Sequence, residues 1–152
     1  MIEFSNQVVV GRPLGEVFGF VSDFRNVPKW NYYVLNVTKT SDSPLGVGST
    51  FHQVRKTDEQ EFRIVTYEPN RQVTIQTIPP STPEFEMRFT FEAKGDGTRI
   101  TDNWKLDTGR PALLERLGAG RIRSAVLENL GKLKVLLETG EVRLQDGRRA
   151  TL

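Results

Sequence analysis

The sequence predicts an α+β domain: a seven-stranded curved antiparallel sheet wrapped around a long C-terminal helix, with two short helices after the first strand. Three observations carry this. Residues 84–93 and 99–106 alternate apolar and polar side chains with period two, the pattern of strands with one buried face. Residues 111–138 carry an apolar stripe at helical spacing. Between residues 2 and 78, β-rich runs are separated by Gly, Pro, Asn and Asp clusters that read as turns.

Residues 2–10 end in Val8-Val9-Val10 and read as the first strand. Gly11-Arg12-Pro13 breaks it, and Leu14, Val17, Phe18 and Val21 follow at helical spacing. Proline is tolerated in a first helical turn, where its missing N–H is not needed. Ser22-Asp23 ends this helix and is placed to cap a second short turn from Phe24 to Val27, closed by Pro28-Lys29-Trp30.

Residues 32–39 and 49–56 read as strands joined by the Asp42–Gly48 turn. Asp58-Glu59-Gln60 reads as a polar hairpin tip. Residues 61–67 and 72–78 are two more strands around Glu68-Pro69-Asn70-Arg71, where Pro suits the second turn position and Asn tolerates a left-handed backbone. Pro79 to Pro83 forbids regular structure. In 84–93, Phe85, Met87, Phe89, Phe91 and Ala93 share one face. In 99–106, Ile100, Asp102, Trp104 and Leu106 do so.

Pro111 opens the last helix. Its expected stripe is Leu114, Leu117, Ile122, Val126, Leu130, Leu133 and Leu137, with a kink or loosened turn at Gly118-Ala119-Gly120 and a stop at Thr139-Gly140. Residues 1–139 are expected to form one ligand-binding domain. Residues 140–152 form a polar C-terminal tail, disordered or a short extra strand.

Composition narrows the function. The chain has 152 residues, no cysteine and a net charge of +2. Without cysteine there are no disulfides, thiolate metal sites or Cys nucleophiles, which fits a cytoplasmic protein. No apolar run approaches the ~20 residues that span a bilayer, and the N-terminus lacks the pattern of a signal peptide. No basic stripe supports nucleic-acid binding. A single histidine without cysteine makes a metal site unexpected, and no cofactor is implied.

Seven strands at ~4.8 Å spacing make a sheet about 34 Å wide. One helix is only ~10–12 Å across. The sheet must curl, and the space left against the helix would be an apolar cavity of the kind that holds small molecules.

The ordered run Pro13, Val17-Phe18-Gly19-Phe20-Val21-Ser22-Asp23, Pro28-Lys29-Trp30, Gly46-Val47-Gly48, Glu68-Pro69-Asn70-Arg71, Gly97-Thr98-Arg99-Ile100-Thr101 and Leu130-Gly131-Lys132-Leu133-Lys134, with Leu137-Glu138, resembles the polyketide cyclase/dehydrase branch of the START-like (SRPBCC) superfamily. The resemblance spans about residues 2–138. It implies a helix-grip fold with a deep ligand cavity. It implies no single activity, since similar proteins include aromatase/cyclases, lipid and sterol carriers and hormone receptors. The shared motifs shape turns and core, so no catalytic residue is carried over.

The expected cavity lining is Phe51, Ile75, Phe85, Met87, Phe89, Asp102, Trp104, Leu117 and Arg121. Asp102 stands out, because its parity places a carboxylate on the apolar face. Such a group must pair, protonate or meet a wet cavity. Arg121 or Arg123 is a possible partner, and a bulge turning Asp102 outward is the alternative. His52 is the only imidazole, and its strand gives no clear parity, so a solvent-facing position competes with a catalytic one. Trp30 reads as an anchor for the short helices or a stacking surface. Tyr32, Tyr33 and Tyr67 rank lower. Gly46-Val47-Gly48 lacks the continuation of a phosphate-binding loop and reads as a turn.

Two functions from different classes follow. One is a carrier or sensor of a small hydrophobic or aromatic metabolite. The other is a cyclase/dehydratase-type enzyme without metal or redox cofactor, using Asp102 or His52. A protein-interaction module is a third, disfavoured by the charged outer face. Monomer and homodimer both remain open.

Overall fold

The computed structural model describes residues 1–152. The elements are β1 (Ile2–Val10), α1 (Leu14–Val21), a 3-10 helix (Phe24–Lys29), β2 (Val34–Lys39), β3 (Thr50–Arg55), β4 (Glu59–Glu68), β5 (Gln72–Thr77), β6 (Glu84–Lys94), β7 (Gly97–Asp107), α2 (Ala112–Thr139), β8 (Glu141–Arg143) and β9 (Arg149–Thr151).

The first seven strands form one antiparallel sheet in the order β1-β7-β6-β5-β4-β3-β2. The N-terminal strand therefore pairs with the last strand before α2, through the register Phe4↔Trp104, Asn6↔Asp102 and Val8↔Ile100. Register shifts between Val34 and Asn36 in the edge strand β2, and between Ile64 and Thr66 in β4, mark irregularities in the sheet. Such bulges bend a strand and increase its twist, which helps the sheet curl. The alternation read in residues 84–93 holds through Phe91: Phe85, Met87, Phe89 and Phe91 are buried, while Glu84, Arg88 and Glu92 are exposed, and Ala93 near the strand's end is exposed as well. Gly97 sits where β7 begins, so close to β1 that an added Cβ would lie 2.5 Å from the Val10 carbonyl oxygen.

The short helices close one end. Val17, Phe18 and Val21 face inward, and Phe18 packs edge-on against Tyr67 and Phe91, with ring centroids 5.5 and 5.0 Å away. Asp23 caps the 3-10 helix as its residue type foretells, accepting the Arg25 N–H at 3.1 Å. Phe24 then packs on Phe62 at 5.7 Å and on Phe51 at 6.0 Å.

α2 is about 42 Å long at 1.5 Å per residue, and it stays α-helical through Gly118–Gly120, which excludes the loosened turn, one of the two expectations there, the other being a kink. It ends on Gly140 in the left-handed region, φ 89°, a conformation glycine adopts without cost. Its C-terminal half is gripped: Leu130, Leu133, Leu136 and Leu137 are buried. The N-terminal half corrects the expected stripe. Leu114 is 53% exposed and Leu117 is 75% exposed. At 100° per residue Leu117 lies about 140° around the helix from Ile122, so the two cannot share a face. The inward residue of the first turn is Glu115. Its carboxylate accepts the Thr108 N–H and hydroxyl, each at 2.8 Å, and pairs with the N-terminal ammonium. These donors hold its carboxyl down at about 2.

The last residues form a β8–β9 hairpin. Val142 and Leu144 are buried, and Arg148 donates to the Tyr32 carbonyl at 3.0 Å. Gln60 corrects another expectation. It is 1% exposed and lies inside β4, not at a hairpin tip. No helix is long and apolar enough to cross a membrane.

Candidate functional site

A cavity of about 420 Å³ lies between the inner face of the sheet, the 3-10 helix and α2. That is within the range of small-molecule sites. Of the 25 residues lining it, 16 are hydrophobic. The sheet supplies Phe4, Phe62, Ile75, Phe85, Met87, Phe89, Trp104 and Leu106. The 3-10 helix and its end supply Phe24, Val27 and Trp30, and α2 supplies Ile122, Ala125 and Val126. Period two on β6 and β7 places their members on one face, and i, i+3, i+4 spacing does the same on α2.

Asp102 is the one carboxylate in this lining, and it is 1% exposed. It stands between Asn6 of β1 and Phe89 of β6. One carboxylate oxygen accepts the Asn6 backbone N–H at 2.8 Å, and the Asn6 side chain donates to the Arg123 carbonyl of α2 at 3.2 Å. Burial pushes the Asp102 carboxyl up to about 6, against the opposing pull of the Asn6 N–H and the nearby Trp104 indole. The Trp104 Nε1–H lies on the carboxylate's side without completing a hydrogen bond of ordinary geometry. Neither arginine foreseen as a partner neutralises Asp102. Arg123 turns to the Ser5 carbonyl at 3.3 Å, and Arg121 stands exposed at the cavity rim.

Trp104 stacks on Phe4, with centroids 6.0 Å apart and planes at 12°, and meets Phe85 at 5.5 Å. Trp30 sits 6.3 Å from Phe89. Both indole N–H groups are buried without a protein acceptor, although buried polar groups are usually paired. Two amide seams brace the walls. Gln53 donates to Gln60 at 2.8 Å, and Gln60 to the Pro83 carbonyl at 2.9 Å. Asn129 of α2 donates to Asn31 at 3.2 Å and accepts the Tyr32 N–H at 3.3 Å.

Of the expected lining residues, Ile75, Phe85, Met87, Phe89, Asp102, Trp104 and Arg121 face the cavity. Phe51 does not: it is fully buried behind it, stacked on Phe62 at 5.1 Å. Leu117 points to solvent on the far side of α2. His52 lies on the outer face, 3.0 Å from Glu59, while its neighbours Phe51 and Gln53 face in. Tyr33 reaches the rim, and Tyr67 packs on Phe18 instead. Phe4, Gln53, Gln60 and Asn129 join the lining without having been expected there. Asn129 carried a signal, since it continues the helical face of Ile122 and Val126 at i+7 and i+3. No three His, Asp or Glu side chains converge where they could hold a metal ion.

Comparison with known proteins places this geometry. Over 100 residues, 62% of the chain, it is 27% identical to a eukaryotic translation initiation factor 3 component of Lodderomyces elongisporus, of which it spans 14%. Among solved structures it is similar to DynU16, a protein of the dynemicin biosynthetic locus. That match has a TM-score of 0.70 and 21% identity, over 92% of this chain and 48% of the other. A START superfamily protein from Mycobacterium smegmatis matches with TM-score 0.70 and 19% identity, over 90% of this chain and 99% of that one. The chain thus spans about half of the first structure and nearly all of the second. At these identities the structures establish a START-like helix-grip fold. The sequence itself goes further: the model of the family described as polyketide cyclase/dehydrase and lipid transport matches residues 1–138, and the chain belongs to that family.

Proposed function

We propose that the protein binds a small hydrophobic or aromatic molecule between its sheet and α2, as a carrier or sensor. The observation that carries this reading is the 420 Å³ cavity, walled mainly by apolar and aromatic side chains from the sheet, the 3-10 helix and α2. Apolar walls supply affinity by removing ligand surface from water, at roughly 25 cal/mol per Å². Polar groups of the lining, among them Asp102 and the two indole N–H donors, supply orientation. No second titratable side chain stands within hydrogen-bond reach of Asp102, which favours binding over proton relay. The test is tryptophan fluorescence titration with flat aromatic ligands, comparing the native protein with Trp104→Phe. Saturable quenching at one equivalent, reduced in the variant, is the expected result. Absence of saturation across a range of such ligands overturns the reading.

A second reading has one specific observation behind it. A buried carboxyl held near 6 is well matched to proton transfer at neutral pH. In a cyclase/dehydratase-type reaction, Asp102 would take a proton from a carbon flanked by carbonyls and return it to the departing hydroxyl, which leaves as water. Asp102→Asn would then lower turnover by about 10²–10⁴-fold while sparing affinity. Unchanged turnover on a true substrate excludes this role.

A further inference from the structure

We infer that the ligand of this cavity carries a protonated amine, held by the Asp102 carboxylate in a cavity partly lined by aromatic side chains. The inference rests on the cavity-binding reading and names the class of ligand. Asp102 is enclosed, and the groups facing it from each neighbouring element do not balance its charge. From β1 it receives one backbone N–H, at 2.8 Å. From β6 the facing residue is Phe89. Along β7 the next inward side chain is Trp104. On α2 the cations are Arg121, exposed at the rim, and Arg123, spent on the Ser5 carbonyl. Neither contributes to the carboxyl's acidity, which is set by burial, Asn6 and Trp104, and the remaining cation of the lining, Arg55 of β3, is paired with Asp58 at 2.7 Å.

A carboxyl with a value of about 6 is still mostly ionised at neutral pH. With one backbone N–H as its donor and no cation paired with it, the Asp102 carboxylate faces a largely apolar cavity, an arrangement that is unfavourable for the ionised form unless something completes it. A cation brought by the ligand completes it. The surrounding rings suit an ammonium as well. Phe4, Phe85, Phe89 and Trp104 line the same cavity as Asp102. Aromatic faces attract a cation lying within about 6 Å of the ring centroid. Sixteen of the 25 lining residues are hydrophobic, so the amine belongs to a hydrophobic or aromatic body and not to a polyamine.

The test is isothermal titration calorimetry with a matched pair of probes, 1-naphthylmethylamine and 1-naphthylmethanol. They share a ring system and differ in the charged group. At about pH 7.5 the amine is expected to bind at least about tenfold more tightly than the alcohol, as a charge-assisted hydrogen bond would give. In Asp102→Asn the preference for the amine over the alcohol should disappear. In the native protein the preference should shrink at about pH 4.5, where Asp102 is protonated. This second measurement stands even if the variant does not fold. If both probes bind equally at the higher pH, the amine inference is overturned and the cavity reading survives. If neither binds, both fall. A preference that persists in Asp102→Asn removes Asp102 as its source.

Discussion

Asp102→Asn offers a test that needs no ligand. The ordinary value of this carboxyl is 3.8, and burial carries it to about 6 in the folded chain. At 1.36 kcal/mol per pK unit, ionising it inside the fold costs about 3 kcal/mol relative to the unfolded chain. The sign follows from the direction of the shift. Below the unfolded value both states are protonated and nothing is lost. As pH rises through about 4 to 6, the unfolded chain releases its proton first, and the folded state is penalised. Asparagine has the same shape and can still accept the Asn6 N–H, but it does not titrate. Its buried amide adds an unpaired donor that costs roughly 1–3 kcal/mol at every pH, so the absolute stability of the variant is not the informative quantity. The informative quantity is the difference between variant and native protein as pH changes. Other carboxylates cancel in it, because both proteins share them. Urea denaturation followed by far-UV circular dichroism should show this difference moving in favour of the variant by about 2–3 kcal/mol between pH 4 and 7.5. A flat difference would mean that Asp102 is solvated. A difference moving against the variant would mean that a cation pairs with it.

Other perturbations probe the frame around the site. Leu130→Ala empties a fully buried position and should cost about 2–5 kcal/mol in urea denaturation, whereas Leu117→Ala at an exposed position should stay within about 0.5 kcal/mol. Gly97→Ala drives a methyl against the Val10 carbonyl and should cost about 1–3 kcal/mol, with hydrogen exchange rising first along β1. Glu115 and Asp146 are both held near 2, well below their unfolded values. Their contributions are complete above those values and are lost as pH falls toward about 2, so Glu115→Gln should flatten the acid limb of stability against pH. His52→Gln should leave probe binding unchanged, because the ring lies on the outer face beside Glu59.

The inner face of β6 and β7 is legible because nothing competes with period two there. That parity alone places Asp102 inside. Other positions depend on partners distant in sequence. Gln60 looks like a turn residue until Gln53 and the Pro83 carbonyl are brought to it. Phe51 reads as lining, yet Phe24 of the 3-10 helix and Phe62 of β4 close over it. The start of α2 misleads for a different reason. Leu114 and Leu117 continue a run of leucines, but Glu115 is clasped by Thr108 and the N-terminal ammonium, and that polar contact sets the rotation of the first turn. The tail reads as polar by composition, while two residues, Val142 and Leu144, suffice to pin a hairpin to α2 and the 3-10 helix.

The chain contains two tryptophans, and both line the cavity. That makes two-dimensional ¹H–¹⁵N spectroscopy of the indole N–H groups the most direct measurement of ligand binding there, with Trp104→Phe assigning the two signals. On titration with 1-naphthylmethanol, both indole resonances should move and saturate at one equivalent, since Trp30, at the end of the 3-10 helix, and Trp104 of β7 both line the cavity. Saturable binding that leaves both resonances in place, with shifts confined to outward-facing amides, would contradict a ligand site between the sheet and α2.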